Sequence, residues 1–171
     1  AMCWSLHYER RYAEAVAFTR RAAEIDPRFG SAYCRAYALF ALGDYEGMIT
    51  ALQENANRRG SLEHPDVLKR RYRTEGIRGL LRSRLRSLLE KQASDFNTPV
   101  EIAEVHALLG NTDEAFAWLE KGYQQRLSRL TNFHIQPEFD SLRSDPRFDD
   151  LRRRIGLPSV DIPRPAQGRA G

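Results

Sequence analysis

The densest run of side chains able to do chemistry is YRTEGIRGLLRSRLRSLLE, residues 72–90, with Arg73, Arg78, Arg82, Arg84 and Arg86 and no lysine. Guanidinium groups fork onto phosphate oxygens, so a helix of this kind can track a nucleic-acid backbone. Its spacing favours a plainer role. Ile77, Leu80, Leu81, Leu85, Leu88 and Leu89 share one broad arc of a helical wheel, with Arg82 and Arg86 outside it and Arg78 at its border. That is a packed amphipathic helix with a basic solvent edge. Arg84 falls inside the arc, which predicts a carboxylate partner on a neighbouring element. Gly76 and Gly79 lack the Lys-Ser/Thr of a phosphate loop and read instead as a turn between two helices.

Two further groups could bind a partner. Tyr33, Tyr37 and Phe40 stand at i, i+4 and i+7, preceded by Trp4 and Tyr8 on an earlier helix. Such a row either forms a recognition surface or packs into the core, because Ala32, Ala36 and Leu39 make an equally good interior stripe. Lys69, Arg70, Arg71 and Arg73 make either a basic wall suited to an acidic peptide or a solvated face. Cys3 and His7, at i and i+4, would give a metal only two ligands, with no second pair to complete a zinc site. No metallohydrolase, serine-hydrolase, nucleotide or dinucleotide motif occurs. His64, His106 and His134 are scattered, and His106 is expected to be a hydrogen-bonded packing residue. The expectation is therefore a non-enzyme with no cofactor and no metal.

Composition sets the frame for these groups. A chain of 171 residues, 42% hydrophobic and 29% charged, can bury a core without metals or cross-links. It carries no apolar run long enough to span a bilayer and no signal-peptide pattern, and Ala1 before Met2 reads as a cloning remnant. Cys3 and Cys34, lacking a CxxC arrangement, are expected to be free thiols in a reducing, cytoplasmic setting. Net charge is +4 and the pI about 9.3, short of a nucleic-acid-binding arm. Only Lys69, Lys91 and Lys121 among the 27 basic residues are lysines, so arginine enrichment is general to the chain and any one cluster carries less weight.

The elements that must position these groups repeat. YAEAVAFTRRAAEIDP from Tyr12, GDYEGMITALQENANRRG from Gly43 and GNTDEAFAWLEKGYQQR from Gly110 resemble one another. Taking Tyr12, Tyr45 and Thr112 as equivalent, the intervals are 33 and 67 residues, so a further copy is expected over residues 62–95. Each copy reads as helix, glycine turn, helix: Gly43 ends SAYCRAYALFALG, and Asp44 caps a helix whose Tyr45, Met48, Ile49 and Leu52 face inward. Thr98-Pro99 opens the fourth copy, with Ile102, Val105 and Leu109 inside and Gly110 as its stop.

These residues resemble the tetratricopeptide repeat. Ala15, Ala22 and Pro27 match its pattern in the first copy, Gly43-Asp44-Tyr45 in the second, and Gly110, Glu114-Ala115 and Leu119 in the fourth, whereas Met48 and Asn55 depart from it. FHIQPEFDSLRSDPRFDDLRRRIGLP, residues 133–158, resembles the ending of a bacterial subset of these repeats. That subset is appended to winged-helix regulators, Ser/Thr kinases and adenylate cyclases, and it also occurs in free-standing repeat proteins. The resemblance implies an all-α, right-handed solenoid of about four repeats, at 1–28, 29–61, 62–95 and 96–127, the third degenerate. A capping segment over 137–157 would follow, with Phe148, Leu151 and Ile155 covering the last apolar face, and then a flexible tail over 159–171. It also implies that first helices line a concave face where a protein or peptide binds. Trp4, Tyr8, Tyr33, Tyr37, Phe40, Lys69, Arg70 and Arg73 would then be groove residues. The truncated first repeat would leave Trp4, Leu6 and Val16 uncovered for a second copy of the chain. The alternative is nucleic-acid association through Arg70, Arg71, Arg73, Arg78, Arg82 and Arg86.

Overall fold

A computed structural model describes residues 2–26, 32–59, 65–91 and 98–159; the expected tail, apart from Ser159, lies outside them. Among the described residues every regular element is helical: α1 (Met2–Tyr8), α2 (Tyr12–Ile25), α3 (Ala32–Ala41), α4 (Tyr45–Arg59), α5 (Pro65–Lys91), α6 (Thr98–Leu109), α7 (Thr112–Gln124) and α8 (Pro146–Ile155). Two 3-10 segments, Ser128–Asn132 and Pro137–Leu142, separate α7 from α8. The chain divides into two compact units, one of described residues up to Thr74 and one from Glu75 onward. The expected third repeat straddles that division. Its glycine break is present inside α5, where Gly76 leaves the helical region at φ +64°, while Gly79 stays helical.

One turn geometry recurs. Arg10, Gly43 and Gly110 all have left-handed φ, at +62°, +77° and +81°. In each case the left-handed residue's N–H donates to the carbonyl three back and the next N–H to the carbonyl five back from itself. The pairs are Arg10–His7 with Arg11–Leu6, Gly43–Phe40 with Asp44–Leu39, and Gly110–Ala107 with Asn111–His106. This closes the spare carbonyls of one helix and starts the next within a residue. Positions 10, 43 and 110 keep the intervals of the repeating sequence. Burial repeats with them: Ala15 and Val16, Met48 and Ile49, and Ala115 and Phe116 are all buried where each second helix meets its partner.

In the first unit, α1 packs on α2 and α3, and α3 packs on α2 and α4. Asp44 caps α4 by accepting from the Gly47 N–H at 2.8 Å, as its position predicts. Two expectations fail here. Cys3 and Cys34 are not free thiols but a disulfide joining α1 to α3, because the fold brings their Cα atoms to 6.3 Å across a separation of 31 residues. Val16 is not uncovered: it is buried against the rest of the unit, while Trp4 and Leu6 are half-buried. The proposed apolar flank is therefore smaller than the repeat truncation suggested.

In the second unit, α6 is buried on nearly every side, by α7 and the Pro137–Leu142 segment among others. The core joins Val100, Ala103 and Ala107 of α6 to Phe116 and Leu119 of α7, to Phe133 and Phe139, and to Phe148 and Leu151 of α8. The Phe133 ring lies 4.8 Å from Phe148 and 6.2 Å from Phe139. Asp145 caps α8, with its side chain accepting from the Arg147 N–H at 3.0 Å, and Gly156 ends it in the left-handed region. Arg147 also pairs with Asp113 at 2.9 Å, tying the capping helix to α7.

Neither Gly43 nor Gly110 has a heavy atom within 4 Å of the position a Cβ would occupy, so alanine there costs backbone strain alone. Gly43→Ala and Gly110→Ala are each expected to lower stability by about 1–2 kcal/mol in denaturant unfolding.

Candidate protein-interaction surface

The turn after α1 and the cystine set the geometry of the aromatic row. Interior positions on α3 are taken by Ala32, Cys34, Arg35, Ala36, Ala38 and Leu39, all buried. Tyr33 and Tyr37 consequently sit at the rim of the helix interface, half-buried, together with Trp4 and Tyr8 from α1. The four rings are one assembly: Trp4 lies 5.6 Å from Tyr37, 6.4 Å from Tyr33 and 6.1 Å from Tyr8. The Tyr33 and Tyr37 rings are 5.0 Å apart and their hydroxyls 3.2 Å. Buried His7 backs the cluster, with its ring 6.0 Å from Tyr37 and 5.4 Å from Tyr12. Each of the four residues thus stays partly open to solvent, Tyr37 meeting Trp4 and Tyr33 edge-to-face and Tyr8 meeting Trp4 at a tilt. Phe40 belongs elsewhere, 5.7 Å from Tyr45, which in turn lies 5.9 Å from Tyr72.

Of the basic residues expected beside this row, Lys69 and Arg73 line an open cavity of about 160 Å³. Tyr72 on α5 and Glu46, Ile49 and Thr50 on α4 complete the lining, and Arg70 is exposed outside it. The i, i+4 spacing puts Lys69 and Arg73 one turn apart on the same face. The Thr50 hydroxyl is committed to the Glu46 carbonyl at 3.0 Å. The donors left for a ligand are thus mainly the two cations, with Ile49 as an apolar floor. Sequence reasoning found the cations but not Glu46, Thr50 or Tyr72, because these enter only through the packing of α4 on the start of α5.

The arginines of residues 72–90 divide. Arg78 donates to the Leu109 carbonyl at 3.1 Å, closing the C-terminal end of α6, where a cation also meets the negative end of the helix dipole. Arg84 is half-buried, and its positive charge favours the ionised form of the buried Glu104 of α6. Arg82 and Arg86 are exposed.

Glu104 is the least foreseeable of the charged groups. It is 2% exposed and accepts from the Arg129 guanidinium at 3.0 Å and the Gln136 amide at 3.2 Å, while Arg129 also reaches Glu101 at 3.1 Å. Burial pushes its carboxyl up from the ordinary glutamate value, the charge of Arg129 opposes this, nearby Glu138 adds to it, and Arg84 opposes it too. With its oxygens taken up in this way, Glu104 works as a brace from α6 to the segments after α7. The only hint in the sequence is a second carboxylate, three residues after Glu101, on an otherwise apolar helix. His106 is buried as expected, with Nδ1 3.2 Å from the Asn111 amide, and burial lowers its pKa from the ordinary histidine value while the charge of Glu114 opposes this. Cys3 is spent in the cystine and offers no thiolate beside His7.

No protein-family model, curated protein or solved structure matches the chain.

Because the Glu104 carboxyl titrates higher folded than unfolded, folding favours its neutral form. Its contribution to stability is present below the ordinary glutamate value of about 4.3 and is lost as pH rises through the folded value. Glu104→Gln should therefore show a shallower loss of stability from about pH 4 upward than the wild type, read from urea midpoints across that range. Identical slopes would refute this role.

Proposed function

We propose that the chain is a non-catalytic, tetratricopeptide-like scaffold, with its helix pairs arranged as a right-handed solenoid. It binds a peptide or protein segment across Trp4, Tyr8, Tyr33 and Tyr37. The observation that carries the reading is that these four rings, drawn from two helices, share one half-open surface while other residues fill the interior of α3. Large, rigid rings give contact area at low entropy cost, and rings already held by their neighbours lose little freedom on binding. The cavity cations Lys69 and Arg73 suit an acidic residue of the partner and would act on association rate and selectivity more than on affinity. The spacing of the turns at positions 10, 43 and 110, rather than their geometry, which Arg126 and Gly156 share, supports the repeat reading.

A displayed peptide library selected on the immobilised protein tests this. Selected peptides are expected to carry an apolar or aromatic side chain near Asp or Glu. Tyr37→Ala should weaken their binding about tenfold or more, with helicity intact by circular dichroism. Lys69→Glu with Arg73→Glu should weaken it further at low salt than at high. If Tyr37→Ala unfolds the protein, the rings are core; Tyr8→Ala then tests the surface from its other helix. Equal selection on both variants would refute the surface. Steeply salt-dependent binding of mixed-sequence DNA would favour the nucleic-acid alternative instead.

A further inference from the structure

Resting on that reading of the four rings, we infer that Cys3–Cys34 is a thiol-responsive clasp that assembles the aromatic surface. The cystine links the two helices that carry the rings. Cys3 directly precedes Trp4 on α1 and Cys34 directly follows Tyr33 on α3, so the covalent bond fixes the separation of the two backbones beside the rings. The contacts Trp4–Tyr33, Trp4–Tyr37 and His7–Tyr37 all cross the pair of helices it joins. Without the bond, α1 is held to α3 by side-chain packing in which Trp4, Leu6 and Tyr8 are only half-buried.

The chemistry is thiol–disulfide exchange with a dithiol. A thiolate of the reductant attacks one sulfur and the other cysteine leaves as a thiolate. The reductant's second thiol then closes its own disulfide and releases the first cysteine. Two electrons and two protons pass to Cys3 and Cys34, and the dithiol is oxidised to a cyclic disulfide. Both cysteines are buried, at 5% and 2% exposure, so attack needs α1 to move off α3. Reduction and opening of the ring surface are coupled events. Once the bond is cut, no covalent link spans the 31-residue separation between Cys3 and Cys34, and packing alone sets the position of α1 on α3. The opposing force is the packing of the two buried thiols, of buried His7 and of the half-buried Trp4, Leu6 and Tyr8.

The test keeps Trp4 as the only tryptophan, through Trp118→Phe, and follows its acrylamide quenching before and after reduction by a dithiol, with two free thiols confirmed by mass. Quenching should rise severalfold on reduction and return on reoxidation. Cys3→Ser with Cys34→Ser should match the reduced protein and ignore the reductant. Affinity for the library-selected peptides should fall about tenfold on reduction, equivalent to about 1.4 kcal/mol. Unchanged quenching with two free thiols overturns the clasp. So does a loss of far-UV helicity well beyond that of the seven residues of α1, which would make the bond a general staple. A quenching change with no peptide binding in either state upholds the clasp and removes the binding reading, so the two fail separately.

Discussion

The left-handed residue that joins one helix to the next is the constraint on which the rest depends. With one residue in that conformation and the next already capping the following helix, the two helices have no slack and must fold back on each other. The residues four and five places after the cap residue then land in the interface: Ala15 and Val16, Met48 and Ile49, Ala115 and Phe116. Alanine at 15 and 115 permits close approach of the backbones, and the longer Met48 fills the same place in the second pair. On α3 the interior positions go to other residues, which leaves Tyr33 and Tyr37 at the rim.

Several of the arginines hold the fold together. Arg78 closes α6, Arg35 is buried and paired with Glu54, and Arg129 satisfies Glu104. Arg147 lies 4.3 Å over the Phe116 ring and Arg154 4.6 Å over Tyr123, so α8 meets α7 through stacked guanidinium groups as well as through apolar side chains. A planar, weakly hydrated cation can serve as cap, stack and ion pair at once. Arginine thus does structural work here that lysine could not do as well.

Much of the helical plan was legible because it rests on local rules. Gly43, Gly110 and Gly156 stop helices and Asp44 and Asp145 start them, while of the leucine arc around residue 80 only Leu80 and Leu81 are buried and Leu89 is exposed. What escaped depends on contacts far apart in the chain. Arg10 holds a left-handed turn that glycine holds elsewhere, so the first turn lacked its signature. The cystine needs α1 and α3 to be neighbours, which spacing alone does not establish. For the aromatic row, two stripes 100° apart on α3 were equally apolar, and only the packed helix shows which one faces inward. Glu104 hid because a second carboxylate on a mostly apolar helix gives no sign of Arg129, 25 residues later.

The nearly complete enclosure of α6 also governs how the second unit opens. A helix flanked on almost every side cannot fray by itself, since each turn that unwinds must expose part of the core joining α6, α7 and α8. Its amide protons should therefore be the slowest of that unit to exchange with deuterated solvent, at rates set by global unfolding rather than by local breathing. The exposed face of α8 should exchange long before. In kinetic terms, the seam between Glu104 and Arg129 lies in the last part of the unit to let water in.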